Sequence, residues 1–148
     1  MEENIVITRL NELLGSHFVV MTHTWGCHWN VTGMGFKAIH DFLKELYETE
    51  QERVDAVAER IRALGGLAPA SVEEMEHRTL IPPTDGVSNS TNMVSVWNTL
   101  SRLWNGIIGI IEGTHRVVPE NDIATRSFLE NMSEEMQKEL WMIKANLE

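Results

Sequence analysis

Apolar residues recur at steps of three and four through four long stretches of the chain. In the segment from Phe36 to Leu64 the stripe is Phe36, Ile39, Leu43, Leu46, Val54, Val57, Ile61 and Leu64, which predicts one amphipathic helix facing a bundle core. An earlier helix is predicted from about Asn4 to Trp29, with Val6, Leu10, Leu13, Leu14, His17, Phe18, Met21, Trp25 and His28 on one broad face. Gly15 and Gly26 cost that helix about 1 kcal/mol each unless they permit close packing. The break between the two helices, Asn30 to Gly35, centres near Met34.

A third helix is predicted from about Ser90 to His115, carrying Met93, Trp97, Leu100, Trp104, Ile107 and Ile111, with Val96, Leu103 and Ile110 widening the stripe. Such breadth predicts burial on more than one side, and Gly106, Gly109 and Gly113 form a candidate seam for close helix contact. Pro119 ends this region, and Asn121 or Asp122 caps a fourth helix running to about Leu147, with Leu129, Met132, Met136, Leu140 and Ile143 inward. Gly65-Gly66 stops the second helix. The connection from there to Asn89 is too long for a structureless loop. It holds a capping box at Ser71 to Glu74 that opens a short helix, and turn signals at Pro82-Pro83 and Asp85-Gly86. The expectation is an all-α four-helix bundle, residues 1–148 forming one domain, with a long crossover containing a short helix between the second and third long helices.

Charge narrows the function. Twelve Lys plus Arg against twenty-two Asp plus Glu give −10, which opposes contact with phosphate backbones and favours attraction of cations. The single cysteine, Cys27, excludes an intramolecular disulfide and fits a reducing cytoplasm. It adjoins His28, but successive helix positions point about 100° apart, so a buried thiol is expected. The start, MEENIVITRL, lacks a basic region followed by an apolar run, and no 18-residue apolar stretch occurs. Neither an export signal nor a membrane span is expected, and the location is cytoplasmic.

The second helix has another face. His40, Lys44, Tyr47, Gln51, Asp55, Ala58 and Glu59 follow one another at about helical period, rotated from the apolar stripe. Imidazole with carboxylates suits iron or manganese as well as zinc. Asp55 and Glu59 are i,i+4 neighbours, but His40 lies about 22 Å from Asp55 along a helix, so one copy cannot close a site around both. Two copies packed antiparallel about a two-fold axis bring His40 of one to Asp55 and Glu59 of the other. His28 and His40 lie equally far from Met34, so an antiparallel hairpin makes them face each other.

The spacing H-x11-H-x14-D-x3-E, with HWNV after the first His, GxxF in the turn and AER after the Asp, resembles the Dps family of miniferritins over essentially the whole chain. The resemblance implies a ferritin-like subunit, a hollow homododecamer, and ferroxidase sites between two-fold-related subunits. His28 and His40 then come from one subunit, and Asp55 and Glu59 from its neighbour. It also implies ferrous iron oxidised by hydrogen peroxide in preference to oxygen, a ferric mineral stored inside, and zinc as a substitute ion. It places Trp29 near the site, where its alternative role is a large interface or core residue. It makes Glu120, Asp122 and Glu130 candidates for an acidic iron-entry pore, with Arg126 at i+4 from both Asp122 and Glu130 partly neutralising it. One position departs from the family, which usually carries an acidic ligand four residues after the second His, where this chain has Lys44. An ammonium inside the site disfavours a second iron, whereas an ammonium paired with Glu48 swings outward.

Two E-x-x-H strings, Glu74-x-x-His77 and Glu112-x-x-His115, echo the di-iron signature of carboxylate bundles. The first falls in the crossover and the second at a helix end, so neither is expected to form the main site. The family's DNA binding is often supplied by a lysine-rich tail, which this sequence lacks, so weak or absent DNA binding is expected.

Overall fold

The computed structural model describes residues 4–83 and 90–148. The expected turn at Asp85-Gly86 and the boundary at Asn89 lie outside the described residues. Five helices occur among them and no strand: α1 (Ile5–Asn30), α2 (Phe36–Ala63), α3 (Val72–Arg78), α4 (Met93–Val117) and α5 (Ile123–Ala145). The four long ones are those the periodicity predicts, and α3 is the short helix of the crossover. α1 packs against α2, α3 and α4, and α4 packs against α5. No helix among the described residues is long and apolar enough to cross a membrane.

Side chains at the helix starts explain the boundaries. Asn4, Ser71, Asn92 and Asp122 each accept a hydrogen bond from a backbone N–H two or three residues on, satisfying donors that the first turn leaves open. Asn92 makes α4 begin at Met93, later than the Ser90 start expected from apolar spacing. The capping box forms reciprocally: Ser71 Oγ accepts from the Glu74 N–H, and the Glu74 carboxylate accepts from the Ala70 N–H. α2 ends in a Schellman motif, with Gly66 N–H to Ile61 O and Gly65 N–H to Arg62 O, and Gly65 takes the φ of 90° that this closure needs.

The core is drawn from the expected stripes, among them Leu10, Leu43, Leu46, Val57, Ile61, Trp97, Leu100, Trp104, Ile107, Leu129 and Met136. Gly15 explains how α3 sits down on α1, because a Cβ there would lie 2.5 Å from the Met75 carbonyl oxygen. Among the described residues the glycine seam on α4 is realised only at Gly106, against Ile81, since a Cβ on Gly109 or Gly113 meets nothing there within 4 Å.

The bundle centre is charged. Glu50 on α2 is wholly buried and accepts hydrogen bonds from His17 Nδ1 at 2.7 Å and from Arg53 at 2.8 Å. Arg53 extends to Glu139 on α5 at 2.7 and 3.0 Å, and the Trp104 indole N–H of α4 donates to the same carboxylate at 3.1 Å. Burial pushes the Glu50 carboxyl up, but His17 and then Arg53 outweigh it and hold the group below its ordinary 4.5. Burial likewise opposes the charge on Arg53, and Glu139 and Glu50 overcome it.

Two outcomes follow. Gly15→Ala forces a Cβ onto backbone and is expected to cost about 1–3 kcal/mol in thermal or chemical unfolding, by overpacking. Because the folded carboxyl of Glu50 titrates lower than the unfolded one, its contribution is complete above pH 4.5 and drains as pH falls below that value. Glu50→Gln removes the carboxylate charge that His17 and Arg53 share and leaves Arg53 only its bonds to the α5 carboxylates, so a loss of about 3–5 kcal/mol is expected at neutral pH. The gap from wild type should narrow in acid, as followed by circular dichroism between neutral pH and pH 3.

Candidate metal centre

The turn between α1 and α2 positions two imidazoles. Gly33 and Gly35 take φ of 120° and 77°, values that side chains resist, and the Phe36 N–H closes back onto Gly33 O at 3.1 Å. Folded back this way, α1 and α2 bring His28 and His40 into stacking, ring centroids 3.7 Å apart and planes 17° from parallel.

Each histidine is locked by the other's backbone. His28 Nδ1 lies 2.7 Å from His40 O, and His40 Nδ1 lies 2.8 Å from His28 O. A carbonyl oxygen only accepts, so both Nδ1 atoms carry hydrogen and donate. The lone pair of each neutral ring is thereby assigned to Nε2, the nitrogen left for a Lewis acid. This arrangement fixes tautomer and ring orientation from the backbone alone.

Aromatic rings surround the pair. Tyr47 meets His28 edge-on at 5.2 Å, Phe36 lies 5.0 Å from His40, and Trp25 stacks on Tyr47 at 5.5 Å and touches Trp29 at 4.9 Å. Trp29 is 61% exposed and Trp25 and Phe36 are each 40% exposed, so the apolar stripes of α1 and α2 continue onto the surface here. Large apolar side chains grouped on a surface mark an interaction face.

Asp55 and Glu59 are exposed on α2. Asp55 lines an open cavity of about 800 Å³ together with Trp25, Tyr47, Gln51 and Glu52. Within one chain they do not join the histidines, and among the described residues no three His, Cys, Asp or Glu side chains converge to hold an ion. The chain presents two nitrogens at one place and two carboxylates at another. Lys44 points to Glu48, ammonium to carboxylate 3.7 Å, with both side chains about half exposed.

Two of the three candidate pore residues have local partners, Asp122 and Glu130. Asp122 caps α5, accepting from the Thr125 N–H at 3.1 Å, and its contacts with Thr125, followed by the charge of Arg60, hold its carboxyl below the ordinary value. Glu130 accepts from His115 Nε2 at 3.1 Å, Glu120 is exposed, and Arg126 donates to the Val118 carbonyl. Of the E-x-x-H strings, Glu74 is engaged as a helix cap and His115 as a partner of Glu130.

Sequence reasoning passed over Glu50, Arg53 and Glu139. The signal was a gap: between Leu46 and Val54 the stripe of α2 has no apolar residue, and Glu50 and Arg53 fill it. His17, on the broad face of α1, bonds Glu50, with Met132 sulfur 3.3 Å from Nε2.

Residues 7–148 match the ferritin-like domain family. A low-temperature-induced protein of Nostoc sp., itself uncharacterised, is 32% identical over 97% of this chain and 80% of the relative. A DNA protection during starvation protein of Brevibacillus brevis is 28% identical over 99% of this chain and 97% of the relative. The crystal structure of a Dps protein from Bacillus brevis superposes with a TM-score of 0.91 at 25% identity, covering 100% of both chains. That of an antigen from Treponema pallidum superposes with a TM-score of 0.88 at 25% identity, covering 97% and 91%.

Cys27, beside His28, is fully buried, and burial pushes its thiol up to about 11. Little reaction with a disulfide reagent is expected at pH 8 in the folded protein and one thiol per chain after denaturation; fast labelling of the native protein would contradict this.

Proposed function

The chain belongs to the ferritin-like domain family, in its Dps miniferritin branch, and from that premise we propose that it oxidises ferrous iron at sites shared between two copies and stores the ferric product. Iron storage and protection are the work the family implies. The finer reading is a hollow homododecamer in which hydrogen peroxide is the preferred oxidant and iron is the substrate.

The observation that carries this reading is the reciprocal lock of His28 and His40, which readies two Nε2 atoms for a cation on a face rich in exposed aromatics. Asp55 and Glu59 complete the donor set from the second copy, giving two imidazoles and two carboxylates. Two ferrous ions and one peroxide with two protons give two ferric ions and two waters, so no hydroxyl radical leaves the site. The net charge of −10 concentrates cations at the surface, and Glu120, Asp122 and Glu130 are the acidic groups proposed to lead them inward. The same charge opposes nucleic acid, so retention of DNA in gel shifts is expected to be weak and to vanish as salt rises. We place the protein in the cytoplasm.

A second reading rests on Lys44, where the family usually carries an acidic ligand. In that reading the shell is retained and the centre holds one ion, iron or zinc, for sequestration rather than turnover. The 3.7 Å approach of Lys44 to Glu48 supports the first reading, because it draws the ammonium away along the helix.

Ferrous titration of the assembled protein with peroxide, followed by ferric absorbance and Trp fluorescence, separates the two. Wild type is expected to oxidise two irons per site, with Lys44→Asp changing the rate less than about threefold and His28→Ala or Glu59→Ala slowing it by about 10- to 100-fold. Uptake of one iron or none by wild type, restored to two by Lys44→Asp, favours the sequestering shell.

A further inference from the structure

The outer face of α2 carries charge that repels a copy of itself. From His40 to Glu59 the helix has two basic residues, Lys44 and Arg53, against seven acidic ones. Arg53 is buried and held by Glu50 and Glu139, and Lys44 faces Glu48. Glu48, Glu52, Asp55 and Glu59 are exposed. The first three line the open cavity of about 800 Å³ beside Trp25 and Tyr47, and no basic residue is in its lining among the described residues. We propose that contact between two copies through this face is gated by a divalent cation: without the ion the carboxylates hold a second copy off, and with it His28 and His40 of one copy are joined to Asp55 and Glu59 of the other. Such gating rests on the shared-site reading and adds to it a control over assembly.

Halfway along α2 between His40 and the pair Asp55 and Glu59 lie Glu48 and Thr49. A two-fold axis that brings His40 of one copy to Asp55 and Glu59 of the other crosses the helix there, so the two Glu48 side chains approach each other. Lys44 falls opposite the stretch from Gln51 to Asp55 and offsets part of the charge, but the four exposed carboxylates of each copy outnumber it. The exposed rings of Trp25, Trp29 and Phe36 favour the contact by leaving water. The same exclusion of water lowers the local dielectric and strengthens the repulsion among carboxylates that have no cation between them. A divalent ion cancels the charge of Asp55 and Glu59 and bonds both copies at once, and the two-fold axis repeats the gain. Because the donor set is complete only in the pair, the ion and the second copy strengthen each other's binding by the same factor. Assembly then follows the supply of divalent metal.

The test reads mass, by sedimentation or light scattering, over a dilution series of the full-length protein freed of metal with EDTA. Co2+ is the probe, because it resists oxidation and accepts imidazole and carboxylate together. It is expected to lower the protein concentration of half-assembly at least about tenfold, the size of an ordinary coupling between two sites. Mg2+ at the same concentration, which favours all-oxygen ligands, is expected to change it little. His28→Ala and, separately, His40→Ala should remove the Co2+ effect while circular dichroism shows the helices intact. Glu48→Gln, which touches no ligand, should strengthen association in EDTA and leave Co2+ still effective. Uptake of Co2+ is followed on the same samples by visible absorption. Co2+ uptake with no change of mass at any dilution overturns the gating and leaves the shared site standing, whereas no uptake by any oligomer overturns both. Equal effects of Co2+ and Mg2+ reduce the response to charge screening and also overturn it.

Discussion

The rest of the bundle is arranged around one buried ion pair, Glu50 with Arg53, and its extension to His17 and Glu139. Two charges removed from water carry a desolvation cost of several kcal/mol each, recovered only where every partner is in place. The partners come from α1, α2 and α5, with the Trp104 N–H of α4 closing the ring. An apolar set of the same volume would stabilise a bundle as well, but it would tolerate sliding. A charged set tolerates little, since a shift of one residue in any helix strands a charge in the core. The register of α1 against α2 is therefore held from the centre as well as from the glycine turn.

That register is what the paired histidines require. His28 and His40 bond each other's carbonyl oxygens reciprocally, and such exchange exists at only one alignment of the two helices. The tautomer of both rings is set by backbone, with no carboxylate spent on orienting them. On the proposed account the carboxylates come from another copy, so the donor set is divided between the nitrogen-bearing ends of α1 and α2 and a carboxylate-bearing stretch of α2.

The long helices, their caps and the crossover were legible because periodicity and capping are local signals, visible in the stripe of α4 and in the reciprocal box at Ser71 and Glu74. The facing of His28 and His40 was legible too, because a hairpin's centre fixes which residues oppose. What was not legible came from tertiary context. Glu50 and Arg53 read as an interruption of a stripe, since nothing in a linear pattern says that a charge is buried when its partners sit on other helices. Phe36 and Trp25 read as core and are 40% exposed, because period distinguishes an apolar face from a polar one but not a bundle interior from an apolar surface. The nitrogen that each histidine offers depends on hydrogen bonds, which no spacing encodes.

The most direct measurement of the central claim is anomalous scattering from crystals of the assembled protein soaked in an oxidation-resistant divalent ion such as Co2+. The account predicts a peak about 2 Å from Nε2 of His28 and of His40 in one copy and from the Asp55 and Glu59 carboxylates of another, with both Nδ1 atoms still bonded to backbone. A peak bonded to Nδ1, or to ligands drawn entirely from one chain, would contradict it.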